Sequence, residues 1–130
     1  QNMAPFPWHF GGQRYQNIFM MPEEISDHAT RHDLQLCLDL AHLKMTCTHF
    51  GLNFLSALKF LLPHTSHIHI ADAAGVNGEG VELDEGDIPW VQAWRLINES
   101  RDASFIPEIW QGHKDGGAGF WQALDFLESL

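Results

Sequence analysis

The sequence predicts an α/β chain in which parallel strands alternate with covering helices. Three apolar runs of strand length carry that prediction: Leu34 to Leu40, Ser66 to Ala73 and Ala103 to Trp110. Segments with helical periodicity lie before, between and after them. Nearly continuous apolar strands separated by helices argue for a parallel sheet covered on both faces. Three clear strands are too few for a closed barrel of eight, though a fourth just before Gln1 would extend the series. An open α/β sheet and half of a barrel therefore stand side by side. Half a barrel would leave two parallel edges and an exposed inner face, so a missing half or a second copy of the chain would have to cover them.

Each element follows from local chemistry. The stretch NMAPFPWHFGGQRYQNIF is rich in Pro and reads as a long loop. PEEISDHATRH places Pro22 and two acids at a helix start, where a missing N–H costs nothing and negative charge meets the helix dipole. LQLCLDL is the first strand. NFLSALKFLL has helical periodicity and stops before Pro63. SHIHIADA is the second strand, and a Gly-rich acidic loop follows it. IPWVQAWRLINES is a helix with apolar positions Val91, Trp94, Leu96 and Ile97. ASFIPEIW is the third strand, GHKDGGAG a loop, and FWQALDFLESL the last helix.

The chain of 130 residues suits one domain spanning 1–130, with 45% hydrophobic residues to fold it. Seven Lys and Arg face 17 Asp and Glu, for a formal charge of -10, a poor match to a polyphosphate backbone. Residues 1–65 carry five acids and four bases, and residues 66–130 carry twelve and three. The second half therefore dominates the field and attracts cations. Cys37 and Cys47 both sit in apolar context and read as core thiols, which fits a reducing, cytoplasmic compartment. No apolar run approaches the ~20 residues of a membrane span. No basic start followed by an apolar stretch marks a signal peptide. The opening at Gln1, without Met, suggests a fragment or a missing leader.

In parallel α/β folds, chemistry gathers at the C-terminal ends of strands. The first strand offers Asp39 and His42 there, the second His67, His69 and Asp72, and the third Glu108. Carboxylates and an imidazole from neighbouring strand ends can hold one divalent cation of the Mn, Co, Mg or Zn type. Glu108, between Ile106 and Ile109, is expected to be buried with a partner. The loop GVNGEGVELDEGDIPW offers acids to water, a cation or a polyhydroxyl substrate. His113 and Lys114, before the last helix, are placed to receive a phosphate. Trp8, His9, Phe10 and Tyr15 are candidates to wall a pocket from the first loop.

LCLDLAH, HIHIAD, DEGDIPW and FIPEI, in that order, resemble the last half of the xylose-isomerase-like TIM barrels. That superfamily includes sugar isomerases, ketose epimerases and abasic-site endonucleases. The resemblance covers essentially the whole chain and implies the C-terminal half of a (β/α)8 barrel. It implies metal ligands at Asp39, His69 and Glu108, with Gln1 where the family carries a Glu. An amide is a neutral, poorer ligand and cannot act as a base. His42 matches an imidazole that faces substrate in the family.

The resemblance implies a metal-dependent isomerase or epimerase of a sugar, sugar phosphate or related polyol, with Glu108 and His42 as catalytic groups. Trp8, His9, His113 and Lys114 are the expected substrate contacts. Gly78 and Gly80 stand where the abasic-site nucleases carry an Asp-x-His pair, which counts against a three-metal phosphodiesterase. Gly75 stands where ketose 3-epimerases carry an Arg. A non-catalytic or incomplete barrel fragment is the second reading, and a metal-dependent abasic-site endonuclease the third and least favoured.

Overall fold

A computed structural model describes residues 1–6, 16–100 and 103–130. Trp8, His9, Phe10 and Tyr15 lie outside the described residues. Helix α1 (Pro22–His32) carries Glu23 and Glu24 in its first turn and Arg31 and His32 in its last. Both pairs of charges oppose the helix dipole. Strand β1 spans only Leu36–Asp39, and Leu40 opens helix α2 (Leu40–Phe50). Leu40 is thus helical rather than extended, and the segment before NFLSALKFLL is a helix that the apolar pattern did not reveal. Asp39 accounts for the switch, because its side chain accepts the backbone N–H of His42 and caps α2. Asn53 caps helix α3 (Phe54–Leu61) in the same way, through the N–H of Ser56.

After a 3₁₀ turn at Leu62–His64, strand β2 (Thr65–Ile70) runs parallel to β1. Strand β5 (Ser104–Pro107) lies on the other side of β2, also parallel, giving the order β1-β2-β5. Leu36, Leu38, Ile68 and Ile70 are buried in one core with Leu43, Leu58, Leu61, Ala93 and Ile97 from the helices. Burial of each such side chain contributes roughly 1.5–3 kcal/mol.

The alternate residues face the other way. Cys37, His67 and His69 are only half-buried, and Ile106 is 51% exposed. The helices therefore cover one face of the sheet, and the expectation of cover on both faces does not hold. The four residues of β1 hide the alternation, because Cys37 is almost as apolar as the leucines beside it. This is a partial TIM-barrel arrangement with no closed barrel among the described residues.

The acidic loop also differs from expectation. Strand β3 (Asp72–Ala74) pairs antiparallel with β4 (Gly78–Val81), so the Gly-rich stretch holds a hairpin. Asp72, with no exposed surface, organises the rest of the loop. Its Oδ1 accepts the N–H groups of Ala73 and Ile88, and its Oδ2 those of Asp84 and the Trp90 indole. A Cβ at Gly86 would lie 2.4 Å from Asp72 Oδ1, so only glycine lets the loop close over the carboxylate.

Helix α4 (Trp90–Glu99) buries Trp90, Ala93 and Ile97, whereas Val91 is 65% exposed. The last helical segment, α5 (Lys114–Glu128), is broken at Asp115, Gly116 and Gly117, all with positive φ. No helix among the described residues is long and apolar enough to cross a membrane.

Candidate metal centre and its cavity

The parallel register decides which side chains meet. Asp39 is the partner of His69, and His69 the partner of Ile106, so Glu108 follows one step beyond the end of β5. Three strand ends thereby place one Asp, one His and one Glu together, with ligand atoms within 4.8 Å of one another. His69 Nδ1 lies 2.7 Å from a Glu108 oxygen and 3.7 Å from Asp39 Oδ2.

Despite those distances, His69 Nδ1 is buried and makes no hydrogen bond. Asp39 Oδ2 lies beyond hydrogen-bond reach, and the Glu108 oxygen lies off the direction an N–H donor requires. Two oxygens and one nitrogen crowded together without a directed hydrogen bond suit a cation. Bonds of about 2.0–2.2 Å put neighbouring ligand atoms about 3.0–3.5 Å apart, which the observed 2.7 and 3.7 Å bracket. The residues present therefore fit a divalent metal. The adjoining Asp39 carboxylate raises the His69 pKa, burial opposes this, and Glu108 adds to the rise.

Asp39 is buried and held from every side. Its Oδ1 accepts the His42 N–H, and its Oδ2 accepts Gln1 Nε2–H at 3.0 Å. Its backbone N–H donates to Asn2 Oδ1 at 2.7 Å, while Asn2 Nδ2–H donates to its carbonyl at 3.0 Å. Asn2 thus acts as a one-residue strand partner at the edge of β1 and delivers Gln1 to the carboxylate. Nothing in residue type or spacing pointed to Asn2.

His42 does not line the cavity beside Asp39 and Glu108. Its Nδ1 meets the Asn2 carbonyl at 3.0 Å and its Nε2 meets Glu79 Oε1 at 2.8 Å. A carbonyl and a carboxylate can only accept, so both ring nitrogens donate and the ring is an imidazolium. Burial works against that charge, but the hydrogen bond to Glu79, the Asp39 carboxylate and the Asn2 carbonyl push the pKa up to about 9. Glu79 was only one acid among several in the loop sequence. The β3–β4 hairpin is what brings it to His42.

Glu108 is not the buried acid its neighbours suggested, since its side chain is 57% exposed. Ile106, two positions earlier, faces the open side of the sheet, and Glu108 reaches into a cavity of about 680 Å³. Asp39, Glu79, Glu108, Trp110, His113 and Lys114 are among its lining residues. His113 and Lys114 are exposed, and Lys114 Nζ donates to Gln111 Oε1 at 2.9 Å. Asp72 takes no part in this site because the loop amides saturate it. His67 lies one layer below, its Nδ1 2.8 Å from Ser104 Oγ.

No curated protein sequence matches the chain. A sequence profile described as "Xylose isomerase-like TIM barrel" matches residues 1–130, the full length given. The order of Asp, His and Glu at the strand ends, the parallel sheet and this match agree, and the chain belongs to the xylose isomerase-like TIM barrel family.

Proposed function

We propose that this chain carries the metal centre and one proton-transfer carboxylate of an isomerase or epimerase acting on a sugar, sugar phosphate or related polyol. The observation that carries this reading is the convergence of Asp39, His69 and Glu108 on a buried nitrogen without a hydrogen bond, at the edge of a cavity. These three side chains would hold one divalent ion, Mn, Co, Mg or Zn, with the Gln1 amide beside them. Such an ion supplies Lewis-acid polarisation of adjacent carbonyl and hydroxyl oxygens.

The chain's own residues supply the rest. Glu108, exposed to the cavity, removes a proton from the carbon next to a carbonyl and returns it to the neighbouring carbon or oxygen. His42, already paired on both nitrogens, holds positive charge beside Asp39 and anchors Glu79 at the cavity wall. Lys114 and His113 orient an anionic substituent of the substrate. Gln1 accepts no proton at neutral pH, so epimerisation through two opposed bases is weak, and proton transfer rests on Glu108.

That substitution favours a second reading, a barrel half that binds its cation with little turnover. The exposed Ile106 on the open side of the sheet supports a covering partner, either a further half-barrel or a second copy. Cys37 and Cys47 are both free thiols, and burial raises both, Cys47 to about 11. That pattern suits a reducing compartment, and we place the chain in the cytoplasm. Incubation of the Mn-loaded protein with aldoses and ketoses in D₂O tests the first reading. Carbon-bound deuterium, lost in Glu108→Gln, supports it; metal binding without deuterium uptake supports the second.

A further inference from the structure

We propose that Cys37, His67 and His69 form a second, softer cation site on the open face of the sheet, one residue layer below Asp39 and Glu108. The inference goes beyond the proposed function, which uses neither Cys37 nor His67.

The strand register builds this site as it builds the first. Cys37 pairs with His67 as Asp39 pairs with His69, and residues two apart on a strand share a face. Cys37, His67, Asp39 and His69 therefore make a two-by-two grid on the uncovered side. The ligand atoms of Cys37, His67 and His69 lie within 4.8 Å of one another. A tetrahedral shell with metal–sulfur bonds of about 2.3 Å and metal–nitrogen bonds of about 2.0–2.1 Å needs about 3.4–3.6 Å between them. Side-chain rotation closes that difference.

Ser104 prepares His67 for this role. The Ser104 hydroxyl donates to the Ser66 carbonyl at 3.4 Å, so its oxygen is left to accept from His67 Nδ1–H at 2.8 Å. With the proton on Nδ1 the lone pair on Nε2 is left for a cation, the usual outer arrangement of a metal-bound imidazole. Cys37 is a free thiol, half-buried beside that ring. On coordination its S–H proton passes to water as the sulfur–metal bond forms. One thiolate and two neutral imidazoles select Zn, Cd or Co over Mg and Mn.

His69 belongs to both triplets, so a soft ion held by Cys37 and His67 withdraws it from the oxygen-rich site. The two sites compete for one ring.

The test uses Cd²⁺ and Mn²⁺ as probes on the full chain. Cd²⁺ is expected to give a thiolate-to-metal absorption band and to displace bound Mn²⁺. Cys37→Ser should abolish the band and weaken Cd²⁺ binding by more than the ~10–100-fold carried by outer-layer partners, while Mn²⁺ still binds. His67→Ala should also weaken Cd²⁺, whereas Asp39→Asn should weaken Mn²⁺ and leave the band. No band, or a band that persists in Cys37→Ser, overturns the inference. A Cd²⁺ band in a protein that never binds Mn²⁺ would overturn the proposed function and leave this site standing.

Discussion

Asn2 and Asp39 are joined by two hydrogen bonds in opposite directions, side-chain amide to backbone, at 2.7 and 3.0 Å. The pair ties the N-terminal segment to the edge of β1 and sets Gln1 beside the carboxylate. Asn2 is 2% exposed, so removing its amide strands a buried N–H and a buried carbonyl. Asn2→Ala is expected to cost about 2–3 kcal/mol, read as a lower urea midpoint at unchanged slope. It should also weaken metal binding, because Asp39 loses its backbone support.

Asp39 ends β1 and Asp72 follows β2 to open β3, and their roles separate. Asp72 satisfies four donors and faces no cavity ligand. Asp72→Ala should destabilise the chain by about 3 kcal/mol or more and open residues 82–90 to amide exchange. The Asp39, His69 and Glu108 triplet should retain its cation wherever the variant remains folded. Loss of metal in a folded Asp72→Ala protein would contradict this division.

His42 gives the metal-free chain a pH signature. Its folded pKa of about 9 lies above the ordinary value of 6.5, because Glu79, Asp39 and the Asn2 carbonyl outweigh burial. The stabilisation is complete below about pH 6.5 and fades as pH rises through about 9. It amounts to about 1–3 kcal/mol at its fullest. Glu79→Gln should lower the His42 titration seen by NMR and flatten stability between those limits.

Gln1 stands where a carboxylate would add a charged ligand and a second base. Gln1→Glu is expected to tighten divalent-metal binding by about tenfold or more, since ligand charge tunes affinity. Deuterium uptake into substrate should rise in the same variant. Calorimetry and the D₂O assay read the two effects separately.

How far the sequence foretold this structure depends on the range of each cause. Helix α1 was legible because Pro22, Glu23 and Glu24 act within one turn. The strand ends were legible because β1, β2 and β5 are apolar runs that stop at polar residues. Asp39 has two roles at once: it caps α2 through one oxygen and faces His69 with the other.

The hidden features were nonlocal. The β3–β4 hairpin depends on Asp72 gathering N–H donors up to 18 residues away, which no window of the sequence displays. Glu79 reaches His42 only because that hairpin folds over α2, and Asn2 reaches Asp39 across 37 positions. The exposure of Glu108 followed from a sheet with one open face, a property of the assembly rather than of the residues FIPEI.

Metal content across a native size-exclusion peak tests the central claim most directly. After loading and removal of free ion, the account predicts about one Mn or Co per chain in the wild-type protein. It predicts none in folded His69→Ala, and sharply less in Asp39→Ala and Glu108→Ala. A wild-type chain that stays metal-free after loading would contradict the account, and Asp39, His69 and Glu108 would then be a polar cluster without a cation.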